Sequence, residues 1–349
     1  MWWDLQTEEK QNQVRELVKN GQLEIVNAGW SMHDEACPTY TDMINNMMRG
    51  QQWVLEHVGV APKIGWQIDP FGHSNANARL FHDMGFNAMF FGRMDSYEDG
   101  QRANNKEKEW IQRPAASSMG TDAQLLFHMN THIYTDPPGM AWDITTNDEP
   151  FEDDETLDTY NAPDYAKKFI DFMEREQNNI WATDHEFIYF GMDFRYMDAF
   201  VNYRSLDRFI KYMNENHGDE YHLQYTTPSD YVQAINDLNH TWPVKYDDLF
   251  PYQDQDQSWW VGYFSSRANA KAQVRHGSSN FHSSQKMAFE VLLDQDMCPM
   301  MQKKVIEAST YMQNELGVYQ HHDAVSGTAK QAVADDYTYR LSKAMTENK

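Results

Sequence analysis

Two hydrophobic periods alternate along the chain. "QNQVRELVKNG" repeats its apolar residues at helical spacing and stops at Gly21, which predicts a helix. "QLEIVNAGW", residues 22–30, then reads as a buried strand. "TYTDMINNMMRGQQWVLEHVG" predicts a helix, "KIGWQID" a strand, "SNANARLFHDMG" a helix and "FNAMFFGRM" a strand. Further on, "DAQLLFHMN", "EFIYFGMDFRY" and "YHLQYTT" read as strands, with "YAKKFIDFMEREQ" and "SLDRFIKYMNENHG" as helices between some of them. This gives six strand candidates before about residue 227, and such alternation predicts an α/β fold with a parallel sheet covered by helices. The acidic stretch "DEPFEDDETLD", Asp148 to Asp158, has no period and reads as a solvated loop.

The pattern changes after Asn239. "NHTWPVKYDDLFPYQDQDQSWW" holds two prolines and polar repeats, so residues 239–265 read as a long connecting loop of the kind that often carries function. Strand patterns then disappear. Helical ones cover about 267–294, 299–318 and 328–346, which predicts a helical bundle over 266–349 behind an α/β domain over 1–238.

Composition narrows the function classes. Apolar residues make up 41% and aromatics 14% of 349 residues, enough for a sizeable core. A net charge of −24 argues against nucleic acid, which needs a basic face, and suits an acidic compartment. The two cysteines, Cys37 and Cys298, make neither a disulfide framework nor a paired-cysteine metal site. No apolar run reaches the roughly 18 residues of a membrane span, and no signal peptide is present. "NHT" at Asn239–Thr241 is a glycosylation sequon, consistent with secretion. The opening "MWWDLQTEEK" reads like the middle of a helix, as if the chain starts inside a longer one.

In parallel α/β folds, reactive groups sit at the carboxyl ends of strands. That rule selects Asp69 after "KIGWQI", Arg93 after "AMFFG", Asp193 after "FIYFGM", and Trp30 with Asp34 and Glu35 around the end of "LEIVNAGW". Each alone serves equally well as a helix cap or turn residue. Two aspartates and an arginine at separate strand ends favour a functional rim. "YQHHDAVSGTAK", Tyr319 to Lys330, places two histidines and an aspartate at a helix end before a tight turn. These residue types bind zinc, but such a group more often makes an ordinary helix C-terminus. Asp69 with His73 is a possible local metal pair, and Ser74 a possible nucleophile without the usual elbow motif around it. Trp259, Trp260, Tyr263 and Phe264 suit either sugar stacking or core packing.

Together, "GWQIDPFGHS", "FFGRMDSYED", "MDFRY", "WWVGYFSSR", "QHHDAVSGTAK" and "NGQLEIVNAGWSMHDEACPTY" resemble glycoside hydrolase family 38, the class II α-mannosidases, and the "QHHDAVSGT" form looks like the lysosomal type. The motifs follow the family's order from about Trp2 to Tyr339. The resemblance implies a seven-stranded β/α barrel, here lacking its first strand, then a three-helix bundle, with the family's C-terminal β-sandwich domains absent. It implies a retaining, exo-acting, zinc-dependent α-mannosidase that hydrolyses mannose-containing oligosaccharides derived from N-glycans, in a lysosome or vacuole or in secreted form.

The same resemblance implies roles for individual residues. Asp69 matches the nucleophile, which in this family also binds zinc, and His322 matches another zinc ligand. Asp193 matches the general acid/base. Phe71, Arg93, Tyr134, Trp260 and Asp323 match residues that surround the sugar. The family's other two zinc ligands come from an H-x-D-x-G-W motif that this sequence lacks, so a longer parent chain is expected. A non-catalytic mannoside-binding fragment and a metal-dependent deacetylase on a similar barrel are the alternatives. Oligomeric state is not legible.

Overall fold

A computed structural model describes residues 2–293 and 297–348. The first helix begins afresh rather than continuing one. After a short 3₁₀ turn at Trp3–Leu5, Thr7 Oγ1 accepts from Lys10 N at 3.2 Å and opens α1 (Glu8–Lys19). The opening segment is therefore not the middle of a helix. Next come α2 (Tyr40–His57), β1 (Ile64–Gln67), α3 (Asn75–Asp83), β2 (Ala88–Phe91), α4 (Ser96–Asn105), β3 (Glu109–Gln112), α5 (Ala116–Met119) and β4 (Leu125–Met129). They are followed by α6 (Ala162–Phe172), which runs into a π turn at Met173–Gln177, then α7 (Ala199–His217), α8 (Pro228–Asp237) and β5 (Val244–Lys245). Three long helices follow, α9 (Ala268–Leu293), α10 (Pro299–Tyr319) and α11 (Gln331–Glu347). Residue 294, expected to close the first of them, lies outside the described residues.

The fold is mixed α/β. Among the described residues, five strands form one sheet in the order β1-β2-β4-β3-β5, with β1 parallel to β2 from Ile64↔Ala88 to Gln67↔Phe91, and β3 parallel to β5. Three predicted strands do not form: residues 22–30, 186–196 and 221–227 enter no ladder. In the first, Asn27 N still donates to Ile64 O at 2.7 Å. Asn27 and Ala28 then take φ of 55° and 58°, which turns the backbone out of strand geometry. In the second, Phe194 and Tyr196 sit at φ 64° and 61°. The predicted connecting loop also contributes a strand, β5.

The chain forms two compact units. The first comprises Met1–Glu98, Ile111–Phe127 and Val244–Lys349. Its α2 buries Met43, Met47, Gly50 and Val54, the i, i+4, i+7, i+11 stripe of an amphipathic helix. Helix α10 lies against α2, α9 and α11, and α9 also meets α11. Gly277 permits that approach: a Cβ there would stand 3.2 Å from Leu316 and 3.3 Å from Leu341. Phe281, Met312, Leu316, Tyr319 and Leu341 form the core between these helices. Each large apolar side chain there contributes about 1.5–3 kcal/mol by leaving water. Cys37 is buried, Cys298 is exposed, and both are free thiols.

The second unit comprises Asp99–Trp110 and His128–Pro243. Its core gathers Trp142, Phe151, Tyr165, Phe169 and Phe209. The acidic stretch 148–158 is irregular but not simply solvated. Phe151 is buried, and Glu152 accepts from Arg208 Nη2 at 2.7 Å. Glu186 is held here with Oε2 buried and lacking a hydrogen-bond partner among the described residues. Burial, then the nearby Asp184, pushes its carboxyl up to about 7. A raised carboxylate pKa means stability that is complete below the unfolded value and lost as pH climbs through 7. Glu186→Gln is therefore expected to stabilise the protein at pH 8 by about 1–2 kcal/mol, discounted for partial exposure, and to be neutral below about pH 4.5. Melting curves across that range check it; an equal effect at both ends would exclude Glu186 as the titrating group.

Candidate active site

Asp69 follows β1 by two residues, and Pro70 stops the ladder there because it has no N–H to give. The chain then turns tightly. Gly72 N donates to Pro70 O at 3.0 Å, and Gly72 takes φ +113°. His73 exchanges backbone hydrogen bonds with Leu249, and Ser74 Oγ accepts from Asn77 N at 3.0 Å to cap α3. Ser74 thus serves as a helix cap. His73 Nδ1 lies 2.8 Å from Glu35 Oε1 rather than on Asp69. The turn leaves the Asp69 carboxylate partly exposed and between two partners.

Arg93, two residues past β2, donates from Nε to Asp69 Oδ1 at 2.7 Å, and from Nη2 to the same oxygen. His322 Nε2 stands 3.1 Å from Asp69 Oδ2. Burial opposes the Asp69 charge, but His322 and Arg93 outweigh it and hold the carboxyl below its usual range. Burial likewise opposes a charged His322, and Asp69 outweighs it upward. Aromatic rings enclose the pair. Arg93 lies over the rings of Trp260 (5.1 Å), Phe71 (5.6 Å) and Tyr252 (5.8 Å), and Phe71 meets His322 edge-on at 5.9 Å. The Tyr263 hydroxyl donates to Phe71 O at 3.0 Å, so this ring belongs to the core that carries the wall. Trp259 and Phe264 remain largely exposed.

The two histidines after α10 divide their work. His321 Nδ1 accepts from Asp323 N at 2.9 Å, and burial together with its neighbour His322 pushes its pKa down. His322 Nδ1 donates to Met32 O at 2.9 Å, so giving up the Nε2 proton that faces Asp69 would leave Nε2 as the free lone pair. That is the tautomer a metal ligand needs. Asp323 accepts from Thr328 Oγ1 at 2.8 Å. Ligand atoms of His321, His322 and Asp323 lie within 4.8 Å of one another. An imidazole nitrogen and a carboxylate oxygen 3.1 Å apart, with the imidazole fixed by a backbone carbonyl, suit two neighbouring positions on a tetrahedral zinc ion.

Asp193 and Tyr134 belong to the second unit. Asp193 is exposed, in a turn held by its neighbours. Tyr196 N donates to Asp143 Oδ2 at 2.9 Å, Arg195 Nε to Asp136 Oδ2 at 3.2 Å, and the Tyr196 hydroxyl to Phe190 O at 2.6 Å. Burial disfavours the charge on Asp143, yet donors from Thr145, Tyr196 and Asn202 hold its pKa well down. Tyr134 is half-buried. Of the other candidates, Trp30 lies under Arg49 at 4.7 Å, and buried Asp34 accepts from Cys37 N at 2.8 Å. Sequence patterns did not single out Tyr252, Met32 or Asp143. The one signal for Tyr252 is its place in the aromatic-rich loop before Trp260.

Comparison with known proteins assigns the chain. Residues 1–255 match the glycosyl hydrolases family 38 N-terminal domain, and residues 258–349 match the alpha mannosidase middle domain. The lysosomal alpha-mannosidase of Dictyostelium discoideum is 40% identical over 344 residues, 98% of this chain and 33% of that protein. The human lysosomal alpha-mannosidase is 35% identical over 345 residues, again 98% of this chain and 34% of that protein. An alpha-mannosidase from Enterococcus faecalis V583 shares the fold at a TM-score of 0.71 and 17% identity, over 97% of this chain and 34% of that one. This chain thus spans about a third of the length of the curated relatives it matches. With the N-terminal domain matched over residues 1–255 and the middle domain over 258–349, the chain belongs to glycosyl hydrolase family 38.

Proposed function

We propose that the chain forms the catalytic part of a zinc-dependent, retaining α-mannosidase, built on a seven-stranded β/α barrel with a three-helix bundle behind it. It acts on the terminal mannose of N-glycan-derived oligosaccharides in a lysosome, vacuole or secreted setting. The observation that carries this reading is the Asp69 carboxylate, kept ionised between Arg93 and His322 and walled by Phe71 and Trp260. An ionised carboxylate in an aromatic-walled site is what a sugar-attacking nucleophile requires. The acidic net charge and the lysosomal relatives support the compartment.

Asp69 attacks the anomeric carbon, forming a C–O bond as the glycosidic C–O bond breaks, and Asp193 gives its proton to the leaving oxygen. Asp193 then takes a proton from water, which attacks the same carbon and frees Asp69. Two inversions return the starting configuration. Arg93 disperses charge on the Asp69 oxygen that does not attack. Phe71 and Trp260 give the sugar apolar faces to stack on, Asp323 accepts from its hydroxyls, and Tyr134 lines the site. Asp69 and His322 would hold a zinc ion, which when bound would supply an orienting Lewis acid for the hydroxyls of the sugar. A fluorinated mannosyl reagent that accumulates the covalent intermediate should label Asp69 in the complete protein, read by peptide mass spectrometry. A label on another residue, with Asp69→Ala still active, would sink the reading. Chelation should remove activity, and added zinc should restore it.

A further inference from the structure

Three donors converge on one buried carboxylate that takes no part in the chemistry above. Glu35 is 3% exposed. Its Oε1 accepts from His73 Nδ1 at 2.8 Å and from Gln67 Nε2 at 3.2 Å, and its Oε2 accepts from Ser74 N at 2.8 Å. Gln67 ends β1 two residues before Asp69, while His73 and Ser74 follow Asp69 by four and five. One side chain therefore clamps both ends of the segment that carries Asp69.

The same strap holds the partner of Asp69. Met32 O accepts from His322 N at 3.2 Å and faces His322 Nδ1 at 2.9 Å, and Asp34 N donates to Gln320 O at 2.9 Å. Residues 32–35 thus have one end on the His322 segment and the other on the Asp69 segment, and the two side chains meet at 3.1 Å. The middle of the strap is fixed without Glu35: His33 Nε2 is 2.8 Å from Asn77 Oδ1, and His33 Nδ1 is 3.2 Å from Asn46 Nδ2. Gln67 Nε2 also donates to His33 O at 3.0 Å and His73 exchanges backbone hydrogen bonds with Leu249, so losing the carboxylate leaves the strap in place and loosens the nucleophile's turn without releasing it. The carboxylate is also chemically specific. A glutamine presents one acceptor and turns an N–H toward at least one of the three donors, leaving that donor unsatisfied in a buried place.

We propose that Glu35 is a positioning residue, whose carboxylate sets the spacing of Asp69 against His322 by gripping Gln67, His73 and Ser74 from the strap that also holds His322. The inference rests on the reading of Asp69 as nucleophile and zinc ligand.

The test compares the complete protein with Glu35→Gln, measuring kcat and KM on an aryl α-mannoside, zinc affinity by chelator competition, and melting temperature. Glu35→Gln is expected to lower kcat at least about tenfold with KM little changed, and to weaken zinc at least about tenfold. In an Asp69→Asn background the same change should alter zinc affinity less than about twofold, because what it positions is gone. Unchanged kcat and zinc affinity, or an equal zinc loss in both backgrounds, overturns the proposal. If the unsubstituted protein cleaves no mannoside, the functional reading falls, and the zinc affinities alone still decide the role of Glu35. If Glu35→Gln does not fold, His73→Phe removes one of the three donors while leaving the bond of Gln67 to the strap, and is read by the same criteria.

Discussion

Asp69→Asn is expected to lower kcat/KM for an aryl α-mannoside by about 10⁴-fold, leaving a protein that still folds. The amide matches the carboxylate in shape, so little packing changes. It cannot attack the anomeric carbon at a useful rate, and it holds zinc poorly. It also leaves the Arg93 guanidinium, 13% exposed, without its anion. That unpaired cation should cost about 1–3 kcal/mol, visible as a lowered melting temperature well short of unfolding. The structural cost and the chemical loss differ by enough to be separated. Activity within about tenfold of the native protein would remove Asp69 from the role of nucleophile. Asp69→Ala adds a positive readout. The vacated space admits azide, which attacks an activated aryl α-mannoside from the same face and, by a single inversion, yields the β-mannosyl azide with release of the phenol.

The helices were legible chiefly through apolar spacing, which marks α1 to α3, α6, α7 and α9 to α11, with caps at Thr39 and Ser74 agreeing at two of the starts; α8, capped by Thr227, went unread behind a run taken for a strand. Strands were harder, since an apolar run says nothing about whether a neighbour is free to pair. Residues 186–196 have the run, but Asp143 takes the Tyr196 N–H, and the positive φ at Phe194 and Tyr196 rules out a strand there. The reverse case is β3, "EWIQ", with too few apolar residues to be noticed. It buries Glu109 and Gln112: His128 and Tyr231 both meet Glu109 Oε1, and Gln112 donates to Asn75 Oδ1.

In the site, the strand-end rule found Asp69 and Arg93, and the two meet. It also picked out Asp193, although the strand before it does not form. The choice of His322 over His321 came from resemblance; in the structure His322 is the one that reaches Asp69, with the Met32 carbonyl at its Nδ1. Contacts such as Arg93 to Tyr252, 159 positions apart, leave no periodic trace in a sequence.

Gly72→Ala carries the second large effect, and its size can be divided in advance. At φ +113° any residue with a Cβ is strained, at a cost of about 1–2 kcal/mol. The added carbon would also stand 2.5 Å from the Phe250 ring and 2.9 Å from Leu249 O, the oxygen that accepts from His73 N. One of these must move, and the ring and the carbonyl belong to the segment that pins the far side of the Asp69 turn. Gly59→Ala is the matched control: φ is +88°, and nothing lies within 4 Å of the added carbon. Gly59→Ala should therefore show the backbone term alone, about 1–2 kcal/mol, with activity unchanged. Gly72→Ala should lose about 3 kcal/mol or more and at least about 100-fold in kcat, since an ångström's displacement of a nucleophile is enough for that. Equal stability losses in the two variants would show that the turn absorbs the methyl group without moving Asp69. Its place beside a proline would then be a matter of chain direction rather than of aiming the carboxylate.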